Sequence, residues 1–471
     1  MGAAGEGGAG GAGAPSRAAW LASLFCGLSS AAWLAPGLGA IATPYWDEGF
    51  YLTDARRLFR AGGLLNNPEH PPLGKWLLGL GIQLTGDDAA GRRLAPLVAT
   101  VVLLAALPLV LERAGVVRRG APAWLLAMPS LFLVLDPLVL VTARIATLDA
   151  VLDTFYVGSV LALAVSFAPT TDERGASIAR VSASALCGLA LGTKWTALTL
   201  LPLLAAACVV RDGEHFRIVP RRVAELFAPL VVAYVACFAL PGAMRFGEHA
   251  FPISDGPLDP DAGFIVRFVT LQLRMIGYHT YYFASEWRSA WYEWLVARQP
   301  LWYAAEAHGA DVRVVAAIGS PLAWGAGLAA TIACLVVAVR ERLAAPFVIA
   351  AAPVLQLALW AVALRMTFIY YMSAILPFYA LALAWCTSEA LARRPALRGP
   401  WTAVLVALAA GSLAWLLHVR PLVRGEPLSE EALRAYEASP AGPLVFHDAF
   451  PLDRMLGLVR GDGYRGARLD D

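Results

Sequence analysis

Charge is scarce in this sequence: Asp, Glu, Lys and Arg make up 15% of its 471 residues, and 59% are hydrophobic, against roughly 25% charged residues in an ordinary soluble domain. That composition excludes a soluble globular enzyme. Lysine is scarcer still, confined to Lys75 and Lys194 among 37 basic residues, so arginine carries nearly all the positive charge and a retained lysine draws notice. The 35 acidic residues leave a formal charge of +2, with no basic surplus to neutralise a nucleic-acid backbone. Nucleic acid is not an expected partner. Paired cysteines are absent too: Cys26, Cys187, Cys208, Cys237, Cys334 and Cys386 lie in apolar stretches without CxxC spacing, which suits packing better than a disulfide or zinc framework. No HExxH or other ligand spacing joins the seven histidines, so no metal is expected. Asp259-Pro260-Asp261 has the DxD form of a metal-nucleotide-sugar site but reads as a turn, and Gly74-Lys75-Trp76 lacks the glycine spacing and Ser/Thr of a phosphate loop.

Long apolar runs are what the sequence has in quantity. After a Gly/Ala tail over residues 1–16, read as disordered and cytoplasmic, runs fit for bilayer crossing fall at about 17–41, 94–112, 121–141, 148–168, 181–193, 195–210, 225–244, 314–338, 345–364, 368–386 and 400–418. A span needs about 20 residues, so the fifth and sixth are short. Eleven spans predict an all-α polytopic membrane protein with a transmembrane domain over 17–418 and a tail over 419–471. Short loops on one side hold fourteen arginines, among them Arg118, Arg119, Arg221, Arg222, Arg393 and Arg394, against Arg144, Lys194 and Arg365 on the other. The positive-inside bias then puts the long hydrophilic segments 42–93 and 245–313, and the C-terminal tail, outside the cytoplasm. A multi-pass cell-membrane protein with its lipid bilayer as a partner is the expectation.

Both long segments have pattern. After Pro71 and Pro72, Leu73, Trp76, Leu77, Leu80 and Leu84 recur at helical spacing, the stripe of an amphipathic helix lying in the membrane surface with Lys75 at headgroup level. The second segment crowds Tyr278, Tyr281, Tyr282, Trp287, Trp291, Tyr292, Trp294, Trp302 and Tyr303 together, either as an interfacial aromatic belt or as a platform for sugar or peptide.

Ionisable residues collect on the outer side of the spans: Asp47 and Glu48 after the first, Asp136 near the end of the third, then Arg144, Asp149 and Asp153, with Lys194 and Arg365. Each has an ordinary structural reading, as a helix end, an ion pair or a snorkelling lysine. Their joint occurrence points to one outward-facing polar cavity, since charge at a membrane edge is normally paired, functional or facing water.

At Trp46-Asp47-Glu48 and His70-Pro71-Pro72-Leu73-Gly74-Lys75 the sequence resembles the protein O-mannosyltransferases, membrane enzymes of the GT-C superfamily that use a polyprenyl-phosphate sugar. The likeness continues through Arg92-Arg93-Leu94, Leu135-Asp136-Pro137, Gly192-Thr193-Lys194-Trp195, Ser289-Ala290-Trp291, Gly319-Ser320-Pro321 and Arg365 with Tyr371. A second long segment of about 69 residues suits the shorter bacterial form, without the β-trefoil domain of eukaryotic members. Phe50 and Trp294-Leu295 depart from the family's usual basic residue and Trp-Pro.

The resemblance implies a GT-C fold with its site between the first outer loop and the outer ends of the spans. It also implies inverting transfer of mannose, or a related hexose, from a polyprenyl-phosphate donor to Ser/Thr hydroxyls of a secreted or translocating protein. Such transfer needs a base, stabilisation of the leaving phosphate and exclusion of water. Asp47 is the candidate base, and Glu48 orients acceptor or sugar. Lys75 and Arg144 hold the donor phosphate with Arg365 and Lys194 in reserve, while Asp149 holds Arg144. His70 contacts sugar or phosphate, and Asp136 supports the site. No cofactor is required beyond the lipid-linked sugar, and an oligomer is compatible with the sequence. Two rivals stay open: an aminoarabinose-transferase-like enzyme acting on a glycolipid such as lipid A, and a transporter or flippase, whose coupling charges would sit nearer the bilayer midplane.

Overall fold

A computed structural model describes residues 14–212, 215–246, 258–259, 261–280, 285–363 and 365–460. Most of the expected tail over 1–16, the middle of the Asp259-Pro260-Asp261 run, Tyr281, Tyr282 and residues 461–471 lie outside the described residues. The chain is mostly helical, and a helix overlaps each of the apolar runs read from the sequence. Asp149–Phe167, Pro321–Glu341, Ala344–Val362, Ile369–Arg393 and Pro395–Arg424 are long and apolar enough to cross a membrane. Leu94–Val110, Ala123–Val134 and Trp195–Ala207 are apolar but shorter.

Local chemistry fixes where these helices begin. Pro220 and Pro321 occupy first-turn positions, where the missing N–H has no intrahelical partner to lose. Asp172 caps Glu173–Leu191 by accepting the Gly175 N–H at 2.9 Å, satisfying one of the orphan donors of the first turn. That helix starts eight residues before the expected run at 181 because its first two turns are polar and carry Arg180, which is paired with Glu225 at 2.5 Å and Glu173 at 2.9 Å. Prolines inside helices, such as Pro108, Pro229 and Pro353, sit where neighbouring helices can compensate the lost hydrogen bond.

The structure is mostly helical, as expected, with a few short strands besides. Leu301–His308 and Asp311–Ala317 form an antiparallel hairpin turning at Gly309, and Pro427–Leu428 adds a third strand. The run expected as a span from 314 is therefore strand to Ala317, and its helix starts at Pro321. Val314, Val315, Ala316 and Ala317 are all buried, so the strand loses its alternation after Arg313 and that short apolar run reads equally as helix. A second hairpin, Val209–Asp212 with His215–Ile218, joins the helices Leu201–Ala207 and Pro220–Phe238.

The two long segments are built rather than strung. In the first, helices Glu48–Leu58 and Pro72–Thr85 pack closely at Gly79, where a Cβ would come within 2.6 Å of the Ala55 carbonyl oxygen. The apolar stripe of Pro72–Thr85 is its outward face, with Leu84 71% exposed, while Gly74, Lys75, Leu78 and Ile82 face protein. In the second, an unanticipated helix, Phe264–Thr280, precedes the hairpin. Trp287, Trp294, Trp302 and Tyr303 are core residues, so these four form neither belt nor open platform, while Tyr292 is exposed.

Candidate active site

The site begins at a strained residue. Trp46 has φ 51°, a left-handed conformation costly for a bulky side chain and retained where the surroundings over-determine it. Its ring is wedged edge-on against Tyr303 and Phe368, at centroid distances of 6.1 and 5.6 Å. Asp47 follows as the cap residue of Glu48–Leu58 but makes no side-chain capping bond, so its carboxylate stays available. One turn on, the Tyr51 hydroxyl is close enough to help hold the carboxyl pKa down.

Cations reach this carboxylate from two other parts of the chain. The helix Glu173–Leu191 ends at Gly192, and Lys194 pairs with Asp149 Oδ1 at 2.8 Å, lying 5.6 and 5.3 Å from the ring centres of Tyr370 and Tyr371. Arg365 sits in the connection before Ile369–Ala374, and its Nη1 donates to His279 Nδ1 at 2.7 Å. His70 lies between the rings of Tyr51 and His279, tilted against each at centroid distances of 5.9 and 5.5 Å. Burial pushes the Asp47 carboxyl up to about 6; Lys194 opposes that rise, Asp149 adds to it and Arg365 again opposes it. Glu69, next to His70, is pushed up to about 7 by burial. His70 falls well below the usual histidine range through burial and the nearby Lys194, His279 and Arg365, and His279 falls to about 4 through burial and Arg365. Both imidazoles are neutral at pH 7.

The sequence-derived residues thus divide into two groups. Asp47, His70, Asp149, Lys194 and Arg365 share one electrostatic neighbourhood. The others lie in the surrounding frame. Glu48 is fully buried and forks onto Arg93 at 2.7 and 2.9 Å, while accepting the Ala146 N–H at 2.7 Å and the Tyr45 N–H at 3.2 Å. Lys75 is 1% exposed and not at headgroup level: it pairs with Asp54 at 3.2 Å and donates to the Asn67 carbonyl. Asp54 also accepts the N–H groups of Asn66 and Asn67 at 2.7 and 3.1 Å. Arg144 is not held by Asp149. Its guanidinium caps the end of the first helix at the carbonyls of Leu34, Pro36 and Gly37. Asp136 accepts from Trp324 Nε1 at 2.7 Å and from the Leu138 N–H at 2.8 Å.

Sequence reasoning missed Tyr51, Glu69, His279 and Tyr370, and named Tyr371 without giving it a role. Glu69 adjoins the His70-Pro71-Pro72 run and was legible there. His279 had no spacing to any other site residue, because a separate helix delivers it. Among the described residues no three His, Cys, Asp or Glu side chains converge as a metal site.

Residues 69–240 match the family model described as dolichyl-phosphate-mannose-protein mannosyltransferase. A polyprenol-phosphate-mannose–protein mannosyltransferase of Mycobacterium tuberculosis is 32% identical over 182 residues, which are 37% of this chain and 34% of the relative. The chain resembles the protein mannosyltransferases. A relative of the same description from Mycolicibacterium smegmatis is 25% identical over 415 residues, covering 72% of this chain and 71% of that one. The match spans about a third of the length of the Mycobacterium tuberculosis relative. In structure, the S. cerevisiae protein O-mannosyltransferase complex bound to its sugar donor aligns with TM-score 0.73 at 12% identity, over 92% of this chain and 93% of that one. The ArnT protein of Cupriavidus metallidurans bound to undecaprenyl phosphate aligns with TM-score 0.53 at 17% identity, over 87% and 75%. These structural likenesses show that the chain shares the fold of those two proteins.

Proposed function

We propose that this chain is a membrane glycosyltransferase that moves mannose from a polyprenyl-phosphate carrier to a Ser or Thr hydroxyl of a protein on the outer face of the cell membrane. One observation supports the reading: a half-buried Asp47 carboxylate, not spent on capping its helix, lies in the electrostatic field of Lys194 and Arg365. Displacement at the anomeric carbon needs this pairing. The base takes the acceptor proton as the new glycosidic bond forms, and the carrier phosphate leaves with the electrons of the old one. A single displacement inverts the sugar and leaves none on the enzyme.

Arg365 and Lys194 are the cations assigned to the leaving phosphate, where a partly dry site strengthens their attraction. His70, neutral and packed against Tyr51, is assigned to a sugar hydroxyl. Lys75 and Arg144 support the site indirectly, through the first loop and the first helix end. The names of the mycobacterial relatives favour mannose and a protein acceptor. The arginine bias of the short loops favours the outer face and eleven crossings.

The test is transfer of radiolabelled mannose from polyprenyl-phosphate-mannose to a Ser/Thr-rich peptide by membranes carrying wild type or Asp47→Asn. Labelled peptide from wild type alone is the expected result. Label in a glycolipid instead would reassign the acceptor, and no transfer at all would sink the reading.

A further inference from the structure

Each buried cation near the site is tied to a partner, and the kind of partner differs. Lys194 is paired with Asp149, Lys75 with Asp54 and Arg93 with Glu48. Arg365 has no carboxylate within 4 Å among the described residues; its guanidinium is held by an imidazole. A guanidinium can only donate hydrogen bonds, so His279 Nδ1 must accept and the ring proton must sit on Nε2. Nε2 lies 2.8 Å from the Glu69 carbonyl oxygen, which can only accept. Both contacts therefore fix one neutral tautomer, and the packing of the ring against His70 and Trp195, at 5.5 and 5.4 Å, fixes its plane.

This linkage joins three pieces of chain. His279 ends Phe264–Thr280, Glu69 precedes the Pro71-Pro72 start of the next helix, and Arg365 lies between two apolar helices. A neutral acceptor orients the guanidinium without cancelling its charge, whereas a carboxylate would bind it as an ion pair and compete with an incoming phosphate. We propose that His279 is a positioning residue for the transferase: as the Nε2–H tautomer it holds Arg365, its positive charge unspent, toward the phosphate of the lipid-linked donor. The inference rests on the transferase reading above.

The test exploits the two ring nitrogens separately. Asn places its side-chain oxygen near the position of Nδ1 and keeps the acceptor for Arg365. Gln places its amide N–H near Nε2 and keeps the bond to the Glu69 carbonyl. With purified full-length protein, His279→Ala lowers kcat/KM for polyprenyl-phosphate-mannose by roughly tenfold to a hundredfold, the scale of one charge-assisted contact. His279→Asn recovers most of that loss and His279→Gln does not, while KM for the peptide acceptor stays unchanged in all three. Binding of undecaprenyl phosphate, read without turnover, weakens in the same order. Wild-type turnover with equal losses in Asn and Gln, or with none in Ala, overturns the role of His279 and leaves the transferase reading intact. Wild type that neither transfers mannose nor binds undecaprenyl phosphate overturns both.

Discussion

Lys194 Nζ lies 2.8 Å from Asp149 Oδ1, with each side chain only 6% exposed. The pair joins the start of Asp149–Phe167 to the turn after Glu173–Leu191 and sets the field at Asp47. Lys194 is the largest influence lowering the Asp47 pKa, and Asp149 the largest charge raising it.

A pH profile reads this field directly. A base works only when deprotonated, so kcat/KM falls as the pH drops through the raised Asp47 pKa of about 6 and levels off above it. Lys194→Gln removes the main lowering charge and leaves Asp149 unpaired, so the acid limb moves to higher pH. A limb unmoved in this variant would detach Lys194 from the base.

Lys75→Ala tests the frame around the first loop. Its ammonium and the N–H groups of Asn66 and Asn67 converge on Asp54, so truncation leaves a buried carboxylate short of a partner, at a cost of about 3–5 kcal/mol. The thermal midpoint of detergent-solubilised protein drops, and Asp54→Asn in the same chain restores part of it. Weaker donor binding at full stability would return Lys75 to the phosphate.

Glu48→Gln is expected to act through folding in the same way. Its carboxylate closes a network of Arg93, Tyr45 and Ala146, and an uncompensated Arg93 costs about 3 kcal/mol or more. The folded fraction keeps its acceptor KM, measured by peptide titration. A raised acceptor KM at unchanged stability would give Glu48 an acceptor contact.

The C-terminal tail is coupled to the site across its packing. Phe450 stacks on Trp287 at 3.9 Å, His447 Nε2 meets the Arg288 carbonyl at 3.1 Å, and Gln299 donates to Asp448 at 2.6 Å. The same loop then bonds Thr367, through Ser289 N–H at 2.8 Å, two residues from Arg365. Deleting residues 430–471 exposes 285–302 to limited proteolysis and lowers turnover by about tenfold, the scale of an ångström-level misplacement. Wild-type turnover in the truncated chain would make the tail dispensable.

The sequence by itself determined the membrane class, the approximate helix positions and the residues worth watching, because apolar run length and scarce charge are local properties. It also made Asp47, Asp149, Lys194 and Arg365 candidates, since each stands beside an apolar run at the same end, and His70 through the His-Pro-Pro run that it begins. Partner choice belonged to the tertiary structure. Asp149 meets Lys194 and not Arg144, Glu48 turns inward to Arg93, and Lys75 points to Asp54. These pairings join residues from different elements, so their geometry depends on how helices dock. The hairpin Leu301–Ala317 was hidden for a related reason: with both strands buried, its apolar run matches a span until the chain finds its antiparallel partner. His279 shows the limit most clearly, as a lone histidine whose role exists only where one helix ends against Glu69 and Arg365.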